Sequence, residues 1–334
     1  MSPNTSDRQR PTRYDVAVIG GGAAGLSAAL VLSRARRSTI VIDAGAPRNA
    51  PAEGVHGFLT RDGIPPAELV AIGRQEVERY GGMIVQGEAI SVERTDRGFA
   101  VTLSDGRQVT ARRLLVTTGL VDELPDIPGL RDRWGHDVLH CPYCHGWEVR
   151  DRPVGILATG PMALHQAMLF RQWTPDVVYF SHTAPELTAE QTEELAARDI
   201  VVVPGTVASL EIADDRLQGV RMTDGTIVAR EALVVGPRFV ARSRVLAGLG
   251  IEPVSHPAGE VIPADANGQT AVPGVWVAGN ATDLKAQVVA AAASGAAAAA
   301  QINYDLVVEE TRVAVEAYRA RRTRVETPAL RRAS

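Results

Sequence analysis

Cysteine is scarce in this sequence, which contains two, Cys141 and Cys144, in 334 residues. A large excess of charge is also absent: the formal net charge of −4 gives no electrostatic basis for binding nucleic acid or an anionic membrane. The N-terminal stretch MSPNTSDRQRPT has no apolar run of the kind that a secretory signal contains. We therefore expect a cytoplasmic protein, and we expect residues 1–12 to be disordered.

Long hydrophobic runs are missing as well. The longest uncharged run, Ala286 to Tyr304, approaches a membrane span in length, but it is mostly alanine and contains polar residues such as Gln287 and Gln301. This composition predicts an alanine-rich helix packed inside the protein, with no membrane partner. With 45% hydrophobic residues, the chain is long enough for two domains that each have their own core.

The two cysteines belong to the segment C-P-Y-C-H, residues 141–145, whose pattern fits more than one chemistry. C-x-x-C-H is the attachment signature of a c-type haem, but that attachment usually needs export, for which the sequence has no signal. A zinc site would need two further ligands, and the neighbouring histidines are badly placed to complete a tetrahedron. Two isolated cysteines in a reducing compartment favour a catalytic redox disulfide over haem, zinc or inert thiols. No metal site is predicted.

Residues 14–43 carry the pattern of a dinucleotide-binding fold: an apolar strand, a G-x-G-x-x-G turn, a helical run, a second strand and an acid. The first glycine makes the tight turn, the second lets the backbone approach a pyrophosphate, and the third lets helix and strand pack closely. The acid, Asp43, lies 18 residues after Gly25, where it can accept hydrogen bonds from a ribose diol. The cofactor-binding residues predicted here are Gly20, Gly22, Ala23, Ala24, Gly25 and Asp43.

Two later segments have the pattern of strands in the same domain. Residues 113–118, R-L-L-V-T-T, are closed by Gly119, and residues 274–279, G-V-W-V-A-G, are followed by Asn280 and by a helix that begins near Ala286. A chain that returns to its first domain in this way resembles the flavoprotein reductases with two dinucleotide-binding domains. We therefore expect an α/β fold of two Rossmann-like, three-layer domains, the second inserted into the first.

The resemblance implies the following divisions of the chain. The flavin domain covers residues 13–120 and 246–310, and the inserted domain, which carries both cysteines, covers residues 121–245. A C-terminal helix or tail covers residues 311–334.

The inserted domain repeats the first pattern with parts replaced. Residues 154–163, V-G-I-L-A-T-G-P-M-A, align with residues 16–25. In this register Ala158 stands in place of the first glycine, Gly160 keeps the second, and Ser181 replaces the acid at the end of the second strand. The inserted domain is therefore predicted to be a dinucleotide fold without the complete fingerprint.

A nicotinamide dinucleotide phosphate would need further groups in this domain. A 2′-phosphate is bound by arginines just after the second strand, but no arginine occurs there before Arg198 and four glutamates intervene. The sequence thus predicts a nucleotide site that is weakened or lost. The alternative is that NADH or NADPH still binds, through Gly160 and His182.

Taken together, the N-terminal flavin fingerprint, the C-x-x-C of the second domain and the late A-G-N segment resemble the low-molecular-weight thioredoxin reductases, from about Arg13 to about Glu309. Those enzymes typically carry C-A-T-C-D. Residues 141–148 are instead C-P-Y-C-H-G-W-E, which is similar to a branch of the family: the FAD-dependent dithiol oxidases that close the disulfides of natural products such as gliotoxin and holomycin. The resemblance implies an FAD-containing homodimer.

The resemblance also implies flavin contacts beyond the first fingerprint. One loop resembles the segment that wraps the adenosine and pyrophosphate, and a second resembles a loop near the flavin. Asparagine replaces the usual aspartate of the A-G-D segment at the ribityl chain, and the residues that open the late helix resemble the pair at the pyrimidine edge of the isoalloxazine. The residues implied are Arg48 and Asn49 in the first loop, His56 in the second loop, and Gly119 and Gly279 at the two strand ends. They also include Asn280 at the ribityl chain, and Gln287 and Val288 at the start of the late helix.

By the same resemblance, Cys144 lies against the flavin and Cys141 faces the substrate. A substrate thiolate would attack the disulfide at Cys141, and the second substrate thiol would resolve the mixed disulfide. The electrons would then pass from Cys144 through FAD to oxygen, which leaves as hydrogen peroxide. His145, in place of the usual aspartate, is the acid–base candidate because imidazole titrates near neutral pH. His140 is expected to be structural.

The expected partners are therefore a small-molecule dithiol and O2, or else a thioredoxin-like protein. Two other functions stay open: a disulfide reductase fed by NADPH, NADH or ferredoxin, and a non-catalytic flavin redox sensor. The intact pair of cysteines argues against the sensor, because a binding module has no need of both thiols.

Overall fold

The computed structural model describes the backbone of residues 13–330 and the side chains of residues 13–322; the disorder expected for residues 1–12 falls outside this range. The first segment forms a mainly parallel sheet with helical connections. Its elements are β1 (Tyr14–Ile19), α1 (Ala23–Arg34), β2 (Thr39–Asp43), α2 (Pro66–Arg79), β3 (Met83–Gln86), β4 (Ala89–Thr95), β5 (Gly98–Leu103) and β6 (Gln108–Val116).

The strands of this segment lie in the order β3-β2-β1-β6-β5-β4. β1 pairs in parallel with both β2 and β6, so the ends of β1 and β2 meet at one edge of the sheet. Alternate residues of β1 enter two separate cores: Ala17 and Ile19 face one, and Val16 and Val18 face the other, which includes α1. Both faces of the strand are buried, which explains its continuous apolar sequence.

The inserted segment contains a second parallel sheet, in the order β11-β10-β9-β15-β8, with a separate three-stranded antiparallel sheet, β12-β13-β14. The second strand of the repeat ends at Phe180, immediately before Ser181, as the sequence predicted. The elements are β7 (Leu120–Glu123), β8 (Val138–Leu139), α3 (Pro142–His145), β9 (Val154–Leu157), α4 (Met162–Phe170), β10 (Val177–Phe180), α5 (Ala189–Ala196), β11 (Val201–Val203), β12 (Val207–Ala213), β13 (Arg216–Met222), β14 (Ile227–Ala229), β15 (Ala232–Val235) and β16 (Arg238–Ala241), with a 3₁₀ turn at Arg131–Arg133.

β7 and β16 are the two crossings between the domains. They pair antiparallel, with Leu120 opposite Ala241 and Asp122 opposite Phe239. The chain leaves the first domain along one strand and returns along the other. The predicted fold, two Rossmann-like domains with the second inserted into the first, is therefore confirmed.

The returning segment completes the first domain. It contains β17 (Val254–His256), β18 (Gly259–Val261), β19 (Val275–Val277) and α6 (Val288–Leu330), with 3₁₀ turns at Arg244–Leu249 and Gly279–Ala281. β19 pairs in parallel with β6 and so extends the first sheet. The strand ends before Gly279 because that residue, at φ +72°, begins a turn. α6 begins at Val288 rather than near Ala286, because Ala286 still belongs to a turn in which its N–H donates to the carbonyl of Asp283.

The alanine-rich half of α6 packs closely on α1. A Cβ at Gly295 would overlap the carbonyl oxygen of Ala24, so this crossing requires a glycine. Ala298 and Ala299 are buried in the same core. The sequence correctly predicted a packed helix here, and within the part of the chain that the structure describes no helix has the length and apolarity of a membrane span.

Candidate active site

The single-turn helix α3 contains Cys144 and begins directly after Cys141. Cys141 immediately precedes it, and its carbonyl oxygen accepts hydrogen bonds from the backbone N–H groups of Cys144 (3.2 Å) and His145 (3.1 Å). Pro142 suits the first helical position, where no N–H donor is needed. Cys141 and Cys144 form a disulfide with their Cα atoms 5.3 Å apart. The predicted pairing of the two cysteines is present.

A cleft of about 2920 Å³ lies between the glycine turn of the first domain and α3 of the second. It exceeds the ~300–1,000 Å³ of an ordinary small-ligand pocket, so it has room for a dinucleotide together with a substrate. Most of the predicted site residues line it, whereas Gly25 and His56 do not. The predicted residues in the lining are Gly20, Gly22, Ala23, Ala24, Asp43, Arg48, Asn49, Gly119, Gly279, Asn280, Gln287 and Val288, together with Cys141, Cys144 and His145.

The three fingerprint glycines have different surroundings. Gly20 has a φ of +109°, and a Cβ there would overlap the carbonyl oxygen of Thr117. A Cβ at Gly25 would in turn overlap the carbonyl oxygen of Gly20. Gly22 is open, since nothing lies within 4 Å of a Cβ built there. Packing therefore requires Gly20 and Gly25, while the open face of Gly22 leaves the backbone accessible from the cleft.

Asp43 lies at the end of β2, beside this turn. Its Oδ1 accepts hydrogen bonds from the N–H groups of Gly21 and Gly45, each at 3.2 Å, and its Oδ2 pairs with the guanidinium of Arg74. A Cβ at Gly21 would come within 2.6 Å of the Asp43 Cγ, so the middle glycine is needed as well. Gly21 and Arg74 were not among the predicted residues. The run of three glycines is a sequence signal for Gly21, whereas no local pattern marks Arg74. The ribose contact of Asp43 stays a prediction.

Arg48 and Asn49 lie in the loop after β2. The Arg48 guanidinium makes two hydrogen bonds to the Asp122 carboxylate, at 2.7 and 2.6 Å, and lies 5.1 Å from the centre of the Phe239 ring. Both partners belong to the crossing strands β7 and β16. Arg48 thus fastens the loop to the junction between the domains while lining the cleft, and Asn49 lines it beside Arg48.

The opposite wall is formed by the segment that leads into α6. The side-chain nitrogen of Asn280 donates to the carbonyl oxygens of Asp283 (3.0 Å) and Ala286 (2.9 Å), which holds the turn before the helix. Gln287 Oε1 lies 3.8 Å from the position of a Cβ built on Gly57. The loop around residue 56 therefore reaches the start of α6, although the His56 side chain is directed elsewhere.

His56 contacts the cysteine segment instead of the cleft. Its Nε2 lies 3.5 Å from Glu148 Oε1, and its Nδ1 lies 3.5 Å from Asp62 Oδ1. Glu148 follows α3 by three residues. Because this contact joins segments far apart in sequence, motif analysis did not find it.

These features fit a flavin dinucleotide. Gly22 precedes an α1 N-terminus whose free N–H groups can receive a pyrophosphate, and Asp43 stands at the end of the neighbouring strand. The same cleft continues to the disulfide and to Gly279 and Gln287. The residues at each part of the cleft are thus of the types that the cofactor needs there.

Comparison with known proteins agrees with this geometry. Residues 14–297 match the family described as pyridine nucleotide-disulphide oxidoreductase. The chain belongs to this family. The thioredoxin reductase tcpT of Claviceps purpurea (strain 20.1) is 33% identical over 280 residues, which are 80% of this chain and 86% of that protein. The thioredoxin reductase sirT of Leptosphaeria maculans is 31% identical over 314 residues, which are 88% of this chain and 94% of that protein.

A solved structure gives the same result. The crystal structure of HlmI superposes with a TM-score of 0.86 and 49% sequence identity, over 92% of this chain and 96% of that one. The resemblance to thioredoxin reductases stated from the motifs is therefore confirmed. As a pyridine nucleotide-disulphide oxidoreductase, the protein is a flavin-dependent oxidoreductase with a disulfide in its active-site cleft.

In this oxidoreductase, His145 is the titratable residue directly after Cys144 of the disulfide in the sequence. Its Nε2 is buried and has no hydrogen-bond partner in the protein. Burial is the main cause that lowers the pKa of His145; Glu148 raises it, and His56 lowers it. The imidazole is therefore neutral at neutral pH and can accept a proton from a thiol.

His140 has a different environment. Its Nδ1 lies 3.3 Å from the carbonyl oxygen of Val235 and 3.2 Å from Gln166 Nε2, and its ring meets Phe239 edge-on, with the ring centres 5.1 Å apart. Burial lowers the pKa of His140, and the Arg48 guanidinium lowers it further. These contacts hold the ring against β15, α4 and β16, as expected of a structural histidine.

The inserted domain of the oxidoreductase has a second strand–turn–helix unit, β9 and α4. Its turn also lines the cleft, and nothing lies within 4 Å of a Cβ built on Gly160, but a loop is bonded to the end of the strand. The carbonyl oxygen of Ala158 accepts hydrogen bonds from the N–H groups of Thr183 (3.2 Å) and Ala184 (3.0 Å). Pro161, which has no N–H, stands immediately before α4. His182 Nδ1 accepts a hydrogen bond from the Val207 N–H at 3.1 Å. The loop after β10 is thus folded back onto the end of β9.

Among the residues whose side chains are described, no group of three or more His, Cys, Asp or Glu side chains is arranged to hold a metal ion.

Proposed function

We propose that this protein is an FAD-dependent dithiol oxidase, which forms a disulfide in a small-molecule dithiol with O2 as acceptor and H2O2 as product. The observation that carries the proposal is the contrast between the two Rossmann-like domains. Both keep an open glycine, at Gly22 and at Gly160, but the first has an acid at the cleft, whereas the second has Pro161 before its helix and a loop bonded to the equivalent strand end. Such a protein can hold a flavin but lacks a fitted site for a nicotinamide donor.

Three features support the loss of the second nucleotide site. The Thr183 and Ala184 N–H groups occupy the Ala158 carbonyl at the strand end, where a bound nucleotide would lie in an intact fold. Pro161 removes a backbone donor at the start of α4, where a phosphate would be bound. His182, one of the two residues left for nicotinamide binding in the alternative, is held by Val207, whereas the other, Gly160, stays open.

In the first domain, the residues that would hold FAD are those around the cleft. The α1 N-terminus at Gly22 would receive the pyrophosphate, Asp43 the ribose of the adenosine, and Gly279, Asn280 and Gln287 the flavin half. When bound, FAD supplies the two-electron acceptor that regenerates the disulfide and passes the electrons, with two protons, to O2. The remaining chemistry is thiol–disulfide exchange by side chains of this chain.

The exchange proceeds at the Cys141–Cys144 disulfide. A substrate thiolate attacks the sulfur of Cys141, the Cys141–Cys144 bond breaks, and Cys144 leaves as a thiolate. The second substrate thiol then attacks the mixed disulfide, so the substrate leaves as a disulfide and both enzyme cysteines are reduced. Two electrons and two protons have passed from substrate to enzyme, and the overall reaction is dithiol plus O2 to disulfide plus H2O2.

His145 is the group proposed to move the proton. It lies four residues after Cys141, and its backbone N–H donates to the Cys141 carbonyl at 3.1 Å, so the turn of α3 keeps the two residues close. A neutral imidazole can take the proton of the incoming thiol, and its lowered pKa favours handing that proton on. Cys141, Cys144 and His145 are therefore the catalytic residues of the proposal.

A protein disulfide is the second candidate substrate, with the enzyme working as a reductase. Tyr143 and Trp147 are exposed next to the disulfide, and Trp173 packs edge-on against Tyr143 with ring centres 5.9 Å apart. Exposed aromatic groups of this kind are enriched where proteins bind one another. We also propose that the protein is a cytoplasmic homodimer.

One anaerobic titration separates the two candidates. NADPH, NADH and dithiothreitol are added separately to purified holoprotein, and the visible absorption band of the flavin is followed. Bleaching by dithiothreitol alone, with recovery and H2O2 release in air, supports the oxidase. Rapid bleaching by NADPH or NADH would contradict it and favour the reductase. A Cys141→Ser variant is the control, because its flavin should no longer respond to the dithiol.

A further inference from the structure

The face of α4 that lines the cleft carries no formal charge. Met162, His165, Gln166 and Leu169 stand at the spacings of a single helix face, and all four line the cleft. The opposite face of the helix is buried in the core of the inserted domain. Residues 153–170 contain no Asp, Glu, Lys or Arg. We call the four cleft-lining residues, together with Gly160, the α4 wall.

The α4 wall begins at the altered dinucleotide turn. In the register that matches Gly160 to Gly22, Met162 stands in place of Ala24. The Met162 side chain is 60% exposed, and nothing lies within 4 Å of a Cβ built on Gly160. The turn therefore stays open on its helix side, but a proline and a methionine stand at the helix start, where an intact fold presents backbone donors to a pyrophosphate. Because methionine adapts its shape to apolar surfaces, this opening suits an uncharged ligand.

The α4 wall adjoins the cysteine segment at two places. Gln166 Nε2 lies 3.4 Å from the carbonyl oxygen of His140, the residue that precedes Cys141. Trp173, three residues beyond α4, packs edge-on against Tyr143, which stands between the two cysteines. The helix thus runs alongside the cysteine segment, and both line one cleft. A ligand held on the α4 wall therefore lies next to the disulfide.

The far end of the α4 wall opens into a second cavity. This cavity has a volume of about 770 Å³, which is within the ~300–1,000 Å³ of ordinary small-ligand pockets. Leu169 and Tyr143 line both this cavity and the cleft. The wall thus leads from the open turn, past the cysteine segment, to a space of the size that a small molecule fills.

Aromatic side chains dominate the second cavity. Tyr143, Trp147 and Trp173 all line it, and the first two are exposed. Its two charged residues, Arg150 and Asp151, have opposite signs, and the Arg150 guanidinium lies 4.2 Å from the centre of the Trp147 ring. Aromatic faces favour contact with another ring. The cavity therefore suits an uncharged ring rather than an anion or a cation.

We propose that the α4 wall is the substrate-binding surface of the dithiol oxidase, and that Met162 and Leu169 select an uncharged dithiol built on an apolar ring. The identity of the ligand as a dithiol rests on the proposed function, whereas the wall and its lack of charge do not. In this assignment the crevice that no longer fits a nucleotide holds the substrate instead. One thiol of the substrate is thereby presented to the disulfide, and the exchange follows as described above.

Two dithiols that close the same six-membered cyclic disulfide test the selection. 1,2-Benzenedimethanethiol carries a benzene ring, whereas dithiothreitol carries two hydroxyl groups. In the holoprotein, the rate constant for flavin bleaching by the first dithiol, divided by that for the second, should fall by about tenfold on Met162→Gln, as for the loss of one apolar contact in a binding pocket. Leu169→Gln should lower the same ratio.

Val201→Gln is the matched control. Val201 belongs to the same domain and is exposed to the same extent, 60%, but it does not line the cleft. This variant should leave the ratio unchanged. A ratio that Met162→Gln and Leu169→Gln also leave unchanged would overturn the proposal. Far-ultraviolet circular dichroism and flavin content check that each variant is folded.

A ligand that cannot react separates the binding surface from the proposed function. In 1,2-bis(methylthiomethyl)benzene both sulfur atoms are methylated, so it keeps the ring but cannot exchange with the disulfide. Isothermal titration calorimetry on the holoprotein should show binding that Met162→Gln weakens by about tenfold and that Val201→Gln leaves intact. No binding, or equal binding to the Met162→Gln protein, would refute the α4 wall even if dithiols bleach the flavin. Binding that depends on Met162, with no bleaching by either dithiol, would refute the oxidase and keep the wall.

Competition with a nucleotide completes the test. Under anaerobic conditions, an excess of NADPH or NADH should leave the binding of 1,2-bis(methylthiomethyl)benzene unchanged. Displacement of this ligand by either nucleotide would contradict the proposal, because it would show that the crevice still serves a nicotinamide donor.

Discussion

Glu148 Oε1 lies 3.5 Å from His56 Nε2, and both side chains act on the same buried imidazole, His145. Glu148 raises the pKa of His145 and His56 lowers it, while burial is the main cause that keeps the pKa below its ordinary value. The acid–base group next to the disulfide is thus controlled by two neighbours of opposite effect.

Substituting these two neighbours should move the pH dependence in opposite directions. Glu148→Gln removes an anion, so the pKa of His145 falls. The acidic limb of the pH–rate profile for the reaction with dithiol then moves to lower pH. His56→Gln removes the side chain whose electrostatic effect lowers the pKa of His145, so that limb moves to higher pH. Stopped-flow rates of flavin bleaching, measured at a series of pH values, give the acidic limb. Nuclear magnetic resonance titration of His145 gives its pKa directly.

Two controls accompany this prediction. His145→Gln should abolish the limb and slow the reaction by about 100-fold or more, as for the loss of a general acid–base group. His136→Gln replaces an exposed histidine and should change neither the limb nor the rate. Shifts of the same sign for Glu148→Gln and His56→Gln would show that neither acts on His145 through charge.

Alanine substitutions at Gly22 and Gly25 should separate cofactor binding from folding. Gly25→Ala overlaps the Gly20 carbonyl, and overpacking of this kind costs about 1–3 kcal/mol of folding free energy. Gly22→Ala meets nothing in the protein, so its free energy of unfolding should change by less than about 0.5 kcal/mol. Its Cβ would project where a pyrophosphate must approach. Thermal unfolding and the flavin-to-protein ratio measure the two effects, and a fully flavin-loaded Gly22→Ala protein would contradict the assignment.

The two cysteines should differ in what their substitution leaves behind. Cys144→Ser keeps Cys141 able to attack a disulfide probe, and we expect a stable mixed disulfide that intact-mass spectrometry detects. Cys141→Ser removes the proposed site of attack, so adduct formation should fall by at least about tenfold, since the remaining Cys144 is on the flavin side of the disulfide in the proposal. Turnover is lost in both variants. More adduct on Cys141→Ser than on Cys144→Ser would exchange the two roles.

The ion pairs under α6 should make its attachment sensitive to acid. Burial alone raises the pKa of Glu309, but Arg113 and Arg112 outweigh it and leave the pKa below 4.5. Hydrogen bonds from Arg37 and Arg112 lower the pKa of Glu310 as well. Lowered carboxyl pKa values contribute stability that is present above about pH 4.5 and is lost as the pH falls further.

Hydrogen exchange corrected for intrinsic rates should therefore show α6 losing protection below that pH, before the core strands do. Arg113→Gln should weaken the attachment at neutral pH by about 0.5–1 kcal/mol, a modest amount because the pairs are partly exposed. Lys285→Gln, outside this cluster, is the control. Equal acid sensitivity of α6 and the core would exclude a local ionic attachment.

Local sequence patterns were sufficient for the framework of this protein. β1 ends directly before Gly20 and β10 ends directly before Ser181, as predicted. The prediction was possible because a buried parallel strand needs an uninterrupted apolar run. The three fingerprint glycines were predicted with their separate tasks, because each task depends on backbone geometry within a few residues. The disulfide was predicted because the two cysteines of the sequence form a C-x-x-C pattern, and it is present in the structure.

Contacts between distant segments were decided by the tertiary structure alone. Glu148, Asp122 and Arg74 contact His56, Arg48 and Asp43 from between 31 and 92 positions away, and nothing in the local pattern marks them as partners. The hydrogen bonds to the Ala158 carbonyl also depend on a loop returning from the end of another strand.

The second half of α6 shows the division most clearly. The sequence determines that Tyr304, Val308 and Val315 share one helix face, because helical periodicity is local. Which face turns toward the domain is decided by where Arg112 and Arg113 of β6 meet the acids of the helix. That choice depends on the packing of α6 against the sheet, so only the folded chain reveals that the apolar face looks outward.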